Sequence, residues 1–193
     1  ALTRIGGPSS LASPRVIVII ARRCSNDISA MGLRTTRPPA LFTRTSMPPN
    51  SETVAATTEG VLVLDPGDCN FSLARHIDRP VRITFEKGRA TAIEGGLDAM
   101  LIREALRGAG DEGAWNAGHI AWGLDPRALW TQPISQTPDT GGGADIESFR
   151  GAVQVQLGSN DDVAFGGSNS SRAHLGLCLR GASLFLDDDP VVL

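Results

Sequence analysis

The sequence has no tyrosine and a single lysine, Lys87; every other residue among its 18 lysines and arginines is arginine. That bias reads as the codon usage of a GC-rich bacterial genome and carries no chemistry. Its three cysteines (Cys24, Cys69, Cys178) are far apart and form no Cys-x-x-Cys pair, which excludes a zinc ribbon and a thioredoxin-like redox motif. So few thiols point to a reducing cytoplasm. No positive excess exists: the net charge is −3 and the pI about 5.6, so nucleic acid is not an expected partner. The longest aliphatic run, residues 16–20, is too short to span a bilayer, so no membrane partner is expected either. Nor does a charged and apolar leader stand at Ala1, so no secretory signal is expected. What is present, 41% hydrophobic and 20% charged residues in 193, is the composition of a folded globular chain with a real core.

Residues 16–20 read as a buried strand and 27–34 as a second. An arginine- and proline-rich connection separates them from the rest, so residues 1–58 are expected to be a poorly defined amino-terminal segment. A domain is expected over residues 59–193. Residues 60–64 form a strand closed by the turn Asp65-Pro66-Gly67-Asp68, and residues 81–86 alternate as a half-buried strand does. Lys87-Gly88-Arg89 turns this strand into another at 90–94. Asp98 is placed to cap a helix running to about Arg107, with Leu97, Met100, Leu101 and Leu106 along one face and Gly108-Ala109-Gly110 as its stop. Further strands are expected at 152–157, 173–179 and 183–186. Many strands with one or two helices make an α+β fold on a mostly antiparallel sheet.

Of three histidines, His76 lies in a charged connection and reads as solvated, whereas His119 and His174 sit in apolar, glycine-punctuated stretches. Two such imidazoles are the minimum of a metal site, although half-buried histidines satisfied by backbone are the plainer reading of composition alone. Nucleophile and phosphate-loop signatures are lacking. The run Asp187-Asp188-Asp189 reads as a solvated acidic turn.

The segment from Asp111 to Ala128, with Gly-His-Ile-Ala-Trp-Gly at residues 118–123, resembles the 2,5-dihydroxypyridine 5,6-dioxygenases and, more widely, the M29 family of thermophilic metallo-aminopeptidases. Arg172-Ala173-His174-Leu175-Gly176 and the order of the elements from Gly60 to Val192 fit the same resemblance. It implies Fe(II) held by His119, by His174 and by a carboxylate two residues after the second histidine. Residues two apart on a strand share a face, which is why such a pair converges on one ion. Here the third position is Gly176, which has no side chain to offer; Asp187 and Glu52 are the candidates to replace it. The resemblance also implies a chain about twice as long, of which this sequence holds mainly the carboxy-terminal half.

The vacancy at Gly176 and the length favour a non-catalytic accessory protein whose cleft binds a peptide or small molecule, as truncated relatives are thought to do in ribosomal-peptide natural-product biosynthesis. Trp115, Trp122, His119 and His174 are then expected to line the cleft, with Arg127, Arg172 or Arg180 meeting a ligand carboxylate or carbonyl. A homodimer covering the face left by the missing half is expected, and no cofactor. The alternative is a mononuclear Fe(II) ring-cleaving dioxygenase; a metallo-aminopeptidase comes third.

Overall fold

The computed structural model describes residues 58–130, 144–161 and 169–182, together with the backbone of four short strands outside them. In chain order the strands are β1 (Thr3–Ile5), β2 (Ile20–Ala21), β3 (Thr58–Leu64), β4 (Cys69–Asn70), β5 (Arg75–His76), β6 (Val81–Glu86), β7 (Arg89–Gly95), β8 (Ala117–Trp122), β9 (Ala152–Asn160), β10 (Asn169–Arg180), β11 (Leu184–Leu186) and β12 (Asp189–Val191). Two α-helices accompany them among the described residues, α1 (Leu97–Ala109) and α2 (Ala144–Ser148), with a 3-10 turn at Glu112–Trp115. The architecture is α+β and mostly antiparallel, as expected. Expected strand 27–34 lies outside the described residues, as do residues 16–19 of the first expected strand.

The hairpin β6–β7 forms because Lys87 and Gly88 both take positive φ, 49° and 77°, the geometry whose twist matches the flanking strands. It joins β3 and β1 in the order β1-β3-β6-β7, where only β1 runs parallel to its neighbour. A second sheet, β5-β4-β10-β9-β8, is antiparallel throughout. Its inner face carries Val153, Val155, Leu157, Leu175, Leu177 and Leu179, all buried with Leu62, Leu64, Ile83 and Phe85 of the first sheet and with Ile102 and Leu106 of α1. Its outer face carries the alternate residues of the same strands. No helix among the described residues is long and apolar enough to cross a membrane.

Two details of α1 correct the sequence reading. Gly96, not Asp98, is the N-cap, and α1 ends at Gly110 in the left-handed conformation. Asp98 is turned inward, 3% exposed, where its carboxylate meets Arg75 Nε at 2.7 Å and accepts from the Asp78 N–H at 2.9 Å. With the helix starting at Leu97, the 3.6-residue period points Ala99, Ile102, Leu106 and Ala109 at the core and leaves Leu97 and Met100 exposed.

Candidate metal-binding face

His119 reaches the outer face of the second sheet through a break in strand alternation. Ala117 pairs with Leu157 and belongs to the main core, and His119, two residues on, would point the same way in a regular strand. The register shifts between them, so that His119 pairs with Gln156 instead. Gly118 is the extra residue. A Cβ there would stand 3.0 Å and 3.1 Å from the carbonyl oxygens of Gly158 and Ser159 and 3.2 Å from Gln156 Nε2, so a side chain would crowd the bulge. Re-aiming a side chain is what a β-bulge does, and such bulges gather beside active sites.

His174 arrives by ordinary alternation. Ala173, Leu175, Leu177 and Leu179 of β10 face the core, so His174, Gly176, Cys178 and Arg180 face outward. The two imidazoles stand with ring centroids 6.1 Å apart and planes tilted by 60°. His174 is solvent-exposed, whereas His119 is half-buried and its Nε2 is shielded from solvent. Between them in the sheet lies Gln156, fully buried, which pairs with His119 on one side and Gly176 on the other. Its amide nitrogen donates to the Ser159 carbonyl at 2.7 Å and lies 3.2 Å from His174 Nδ1.

Two imidazoles on one sheet face fit two corners of a metal site. The carboxylate implied by the family resemblance does not fit at position 176. There Gly176 lies beneath the ring of Phe71, and among the described residues no cluster of three or more metal-binding side chains forms. Glu52 and Asp187, the expected replacements, lie outside the described residues.

The other sequence-selected residues are not gathered at the histidines. Trp122 shares its face of β8 with Ile120 and packs on the main core, on the opposite side of the sheet from His119. Trp115, in the 3-10 turn, also packs against that core. Arg127 is engaged with Asp125: Nε donates to Oδ1 and Nη2 to Oδ2, each at 3.0 Å, and the bonds hold the Asp125 carboxyl below the usual carboxylate range. Arg172 lies beside Gly110 at the end of α1, and its backbone N–H donates to Asp111 at 3.0 Å. That bond, then those from Ser171 and Ala114, lower the Asp111 pKa. Arg180 lines a separate cleft of about 370 Å³ with Pro66, Gly67, Asp68, His76 and Trp130. Six residues of strand, about 20 Å, separate Arg180 from His174.

Sequence reading missed Gln154, Gln156 and Phe71 on this face. The alternation Val-Gln-Val-Gln-Leu at residues 153–157 was the available signal, because two glutamines on one side of a strand whose other side is aliphatic mark a polar face. Nothing local singled out Phe71.

Comparison with known proteins places most of the chain in one family. The chain is 34% identical over 137 residues to the 2,5-dihydroxypyridine 5,6-dioxygenase of Pseudomonas putida KT2440, a match covering 71% of this chain and 39% of that protein. The solved structure of the 2,5-dihydroxypyridine dioxygenase from the same strain superposes with a TM-score of 0.64 at 34% identity, over 70% of this chain and 38% of that one. This chain therefore spans about two fifths of the length of the relative it matches. The matches fall on the dioxygenase branch of the resemblance; neither bears on the aminopeptidase relation or the peptide-accessory role. The model of the 2,5-dihydroxypyridine 5,6-dioxygenases matches residues 47–193, both histidines included, and the chain belongs to that family.

Proposed function

We propose that this chain provides the histidine-bearing part of an iron-dependent dioxygenase that opens the ring of a dihydroxylated nitrogen heteroaromatic. The observation that carries the reading is the convergence of His119 and His174 on one sheet face, achieved for His119 only by the bulge at Gly118. A bulge that turns an imidazole away from the core, in a chain of this family, is better explained by a ligand for the imidazole than by packing. Iron(II), when bound, supplies the redox centre that ring opening by dioxygen requires. The protein's own part is to hold the two imidazoles with ring centroids 6.1 Å apart, with the Gln156 amide 3.2 Å from Nδ1 of His174.

The reading is tested by anaerobic loading with Fe(II), followed by oxygen uptake and loss of ring absorbance with 2,5-dihydroxypyridine. Uptake that disappears in both His119→Ala and His174→Ala is the expected result. Loaded protein that consumes no oxygen above the metal-only control overturns it. The Gly176 position favours a second reading, a family face kept for binding without turnover. Saturable binding of the same heteroaromatic without oxygen uptake would select that one.

A further inference from the structure

We infer that the cleft of about 370 Å³ beside β4 and β5 is a ligand site separate from the histidine face, and that it takes a small organic carboxylate held by the Arg180 guanidinium. The inference goes beyond the dioxygenase reading and depends on no metal.

Strand register gathers the walls of this cleft. His76 of β5 pairs with Cys69 of β4, and Cys69 pairs with Cys178 of β10, so the three form one row across the sheet. Residues in one row share a face, and Arg180, two residues on from Cys178, shares it too. His76 and Arg180 therefore stand on the outer face, one on either side of β4, and both are exposed. Trp130 and the turn residues Pro66, Gly67 and Asp68 complete the lining among the described residues. Ligand pockets run from about 300 to 1,000 Å³, so a cleft of about 370 Å³ suits a small molecule and not a peptide.

These walls are tied to one another without using the cation. The Gly67 N–H donates to the Ile77 carbonyl at 2.9 Å and the Ile77 N–H to the Asp68 carbonyl at 2.7 Å, which fixes the turn beside β5. Trp130 Nε1 donates to the Gly67 carbonyl at 2.9 Å, and the indole lies 6.4 Å from the His76 ring. Asp68 is 1% exposed and turns its carboxylate to the backbone: Oδ2 accepts from the Asp65 N–H at 2.8 Å and Oδ1 from the Arg180 N–H at 3.0 Å. Those donors offset a charge that would otherwise repel an anion. The last of them anchors Arg180 by its backbone, while its guanidinium makes no hydrogen bond or ion pair with any described residue. A fork anchored in this way, at the wall of a preformed cleft, is matched to the two oxygens of a carboxylate. The His76 imidazole carries at least one N–H in either tautomer and supplies a second donor. Pro66 and Trp130 offer apolar surface to the body of the ligand. The expectation that Arg180 meets a ligand carboxylate is thereby kept, at a cleft of its own and not at the histidines.

The test is a calorimetric titration of the metal-free protein with benzoate, against benzamide as its neutral counterpart and inorganic phosphate as a competing anion. Saturable binding of benzoate is expected, with benzamide at least about tenfold weaker, because hydrogen bonds to a charged group are the stronger ones. Arg180→Gln is expected to weaken benzoate binding at least about tenfold. Arg180→Lys keeps the charge but loses the fork, so it should fall between the parent and the glutamine variant. Both changes are made on an exposed side chain, and the thermal midpoint of each variant checks that it folds. His174→Ala, about 20 Å away along β10, is expected to bind benzoate as the parent does. No saturation by about 10 mM benzoate, or equal binding by the parent and Arg180→Gln, overturns the inference. So does loss of benzoate binding in His174→Ala, which would put the ligand at the histidine face. Phosphate that displaces benzoate at equal concentration would assign the cleft to phosphoryl anions and overturn the carboxylate assignment. The dioxygenase reading stands or falls separately, on oxygen uptake.

Discussion

Gln154 gives the most exposed test of the energetics of this face. It is 1% exposed, and among the described residues neither its amide nitrogen nor its amide oxygen has a hydrogen-bond partner. Its cross-strand neighbours are Ala121 and Cys178, and Ala152 and Cys178 of its own outer face belong to an apolar cluster. Burying an amide without partners costs about 1–3 kcal/mol, whereas exchanging side chains of like volume and flexibility costs less than about 1.5 kcal/mol. Gln154→Met keeps the unbranched chain and removes both orphaned groups, so the variant is expected to be more stable by about 1–2 kcal/mol. Urea unfolding followed by circular dichroism would show a higher midpoint at unchanged slope, and the thermal midpoint would rise by about 2–4 °C per kcal/mol for a chain of this size. Gln156→Met is the control with the opposite sign, because the Gln156 amide bonds to Ser159 and to His174. It should lose about 1 kcal/mol. A Gln154→Met variant destabilised by about 1 kcal/mol or more would refute the reasoning, since its amide would then be satisfied, for instance by a buried water.

Three further expectations concern parts of the fold away from the histidines. Asp98→Ala should cost about 1–3 kcal/mol by chemical denaturation. The Asp78 N–H loses its acceptor, but the Arg75 side chain is already 34% exposed and can turn to water; no measurable loss would show that the pair is not stabilising. Asp111 and Asp125 both have folded-state pKa values below the ordinary carboxylate value, through bonds led by the Arg172 N–H and the Arg127 side chain respectively. Their stabilisation is complete above the unfolded-state pKa, near 3.9, and is lost as pH falls through the folded-state values. The Asp111→Asn/Asp125→Asn double variant should therefore show a flatter fall of thermal midpoint below about pH 4, and an unchanged acid slope would contradict this. Burial, with the charge of Asp68 adding to it, pushes the Cys69 thiol up to about 12, and burial likewise raises Cys178. Peptide mapping after iodoacetamide at pH 8 should find both unmodified in the native protein and labelled only in urea; rapid native labelling would mean that β4 opens readily.

Much of the fold was legible in the sequence because its signals are local. The turn at residues 65–68, the Lys87-Gly88 hairpin, the half-buried alternation of β6 and the stop at Gly110 each depend on a few adjacent residues, and the structure has them all. The core face of α1 was misread because it depends on where the helix starts, and an aspartate that looked like a cap is drawn inward by Arg75, far from it in sequence.

The sequence by itself determined the α+β class, the two histidines and the missing side chain at position 176, because these follow from residue identity, strand period and family motif. Only the tertiary structure decided which face each residue serves. A one-residue bulge at Gly118 moves His119 from the core side of β8 to the open side, and nothing in hydrophobic periodicity encodes that shift. The same holds for Phe71, which is distant from Gly176 in sequence and covers it through backbone pairing between β4 and β10. Side-chain volume at a contact is a property of two chain segments at once, so neither segment alone could reveal that the corner beside His174 is filled.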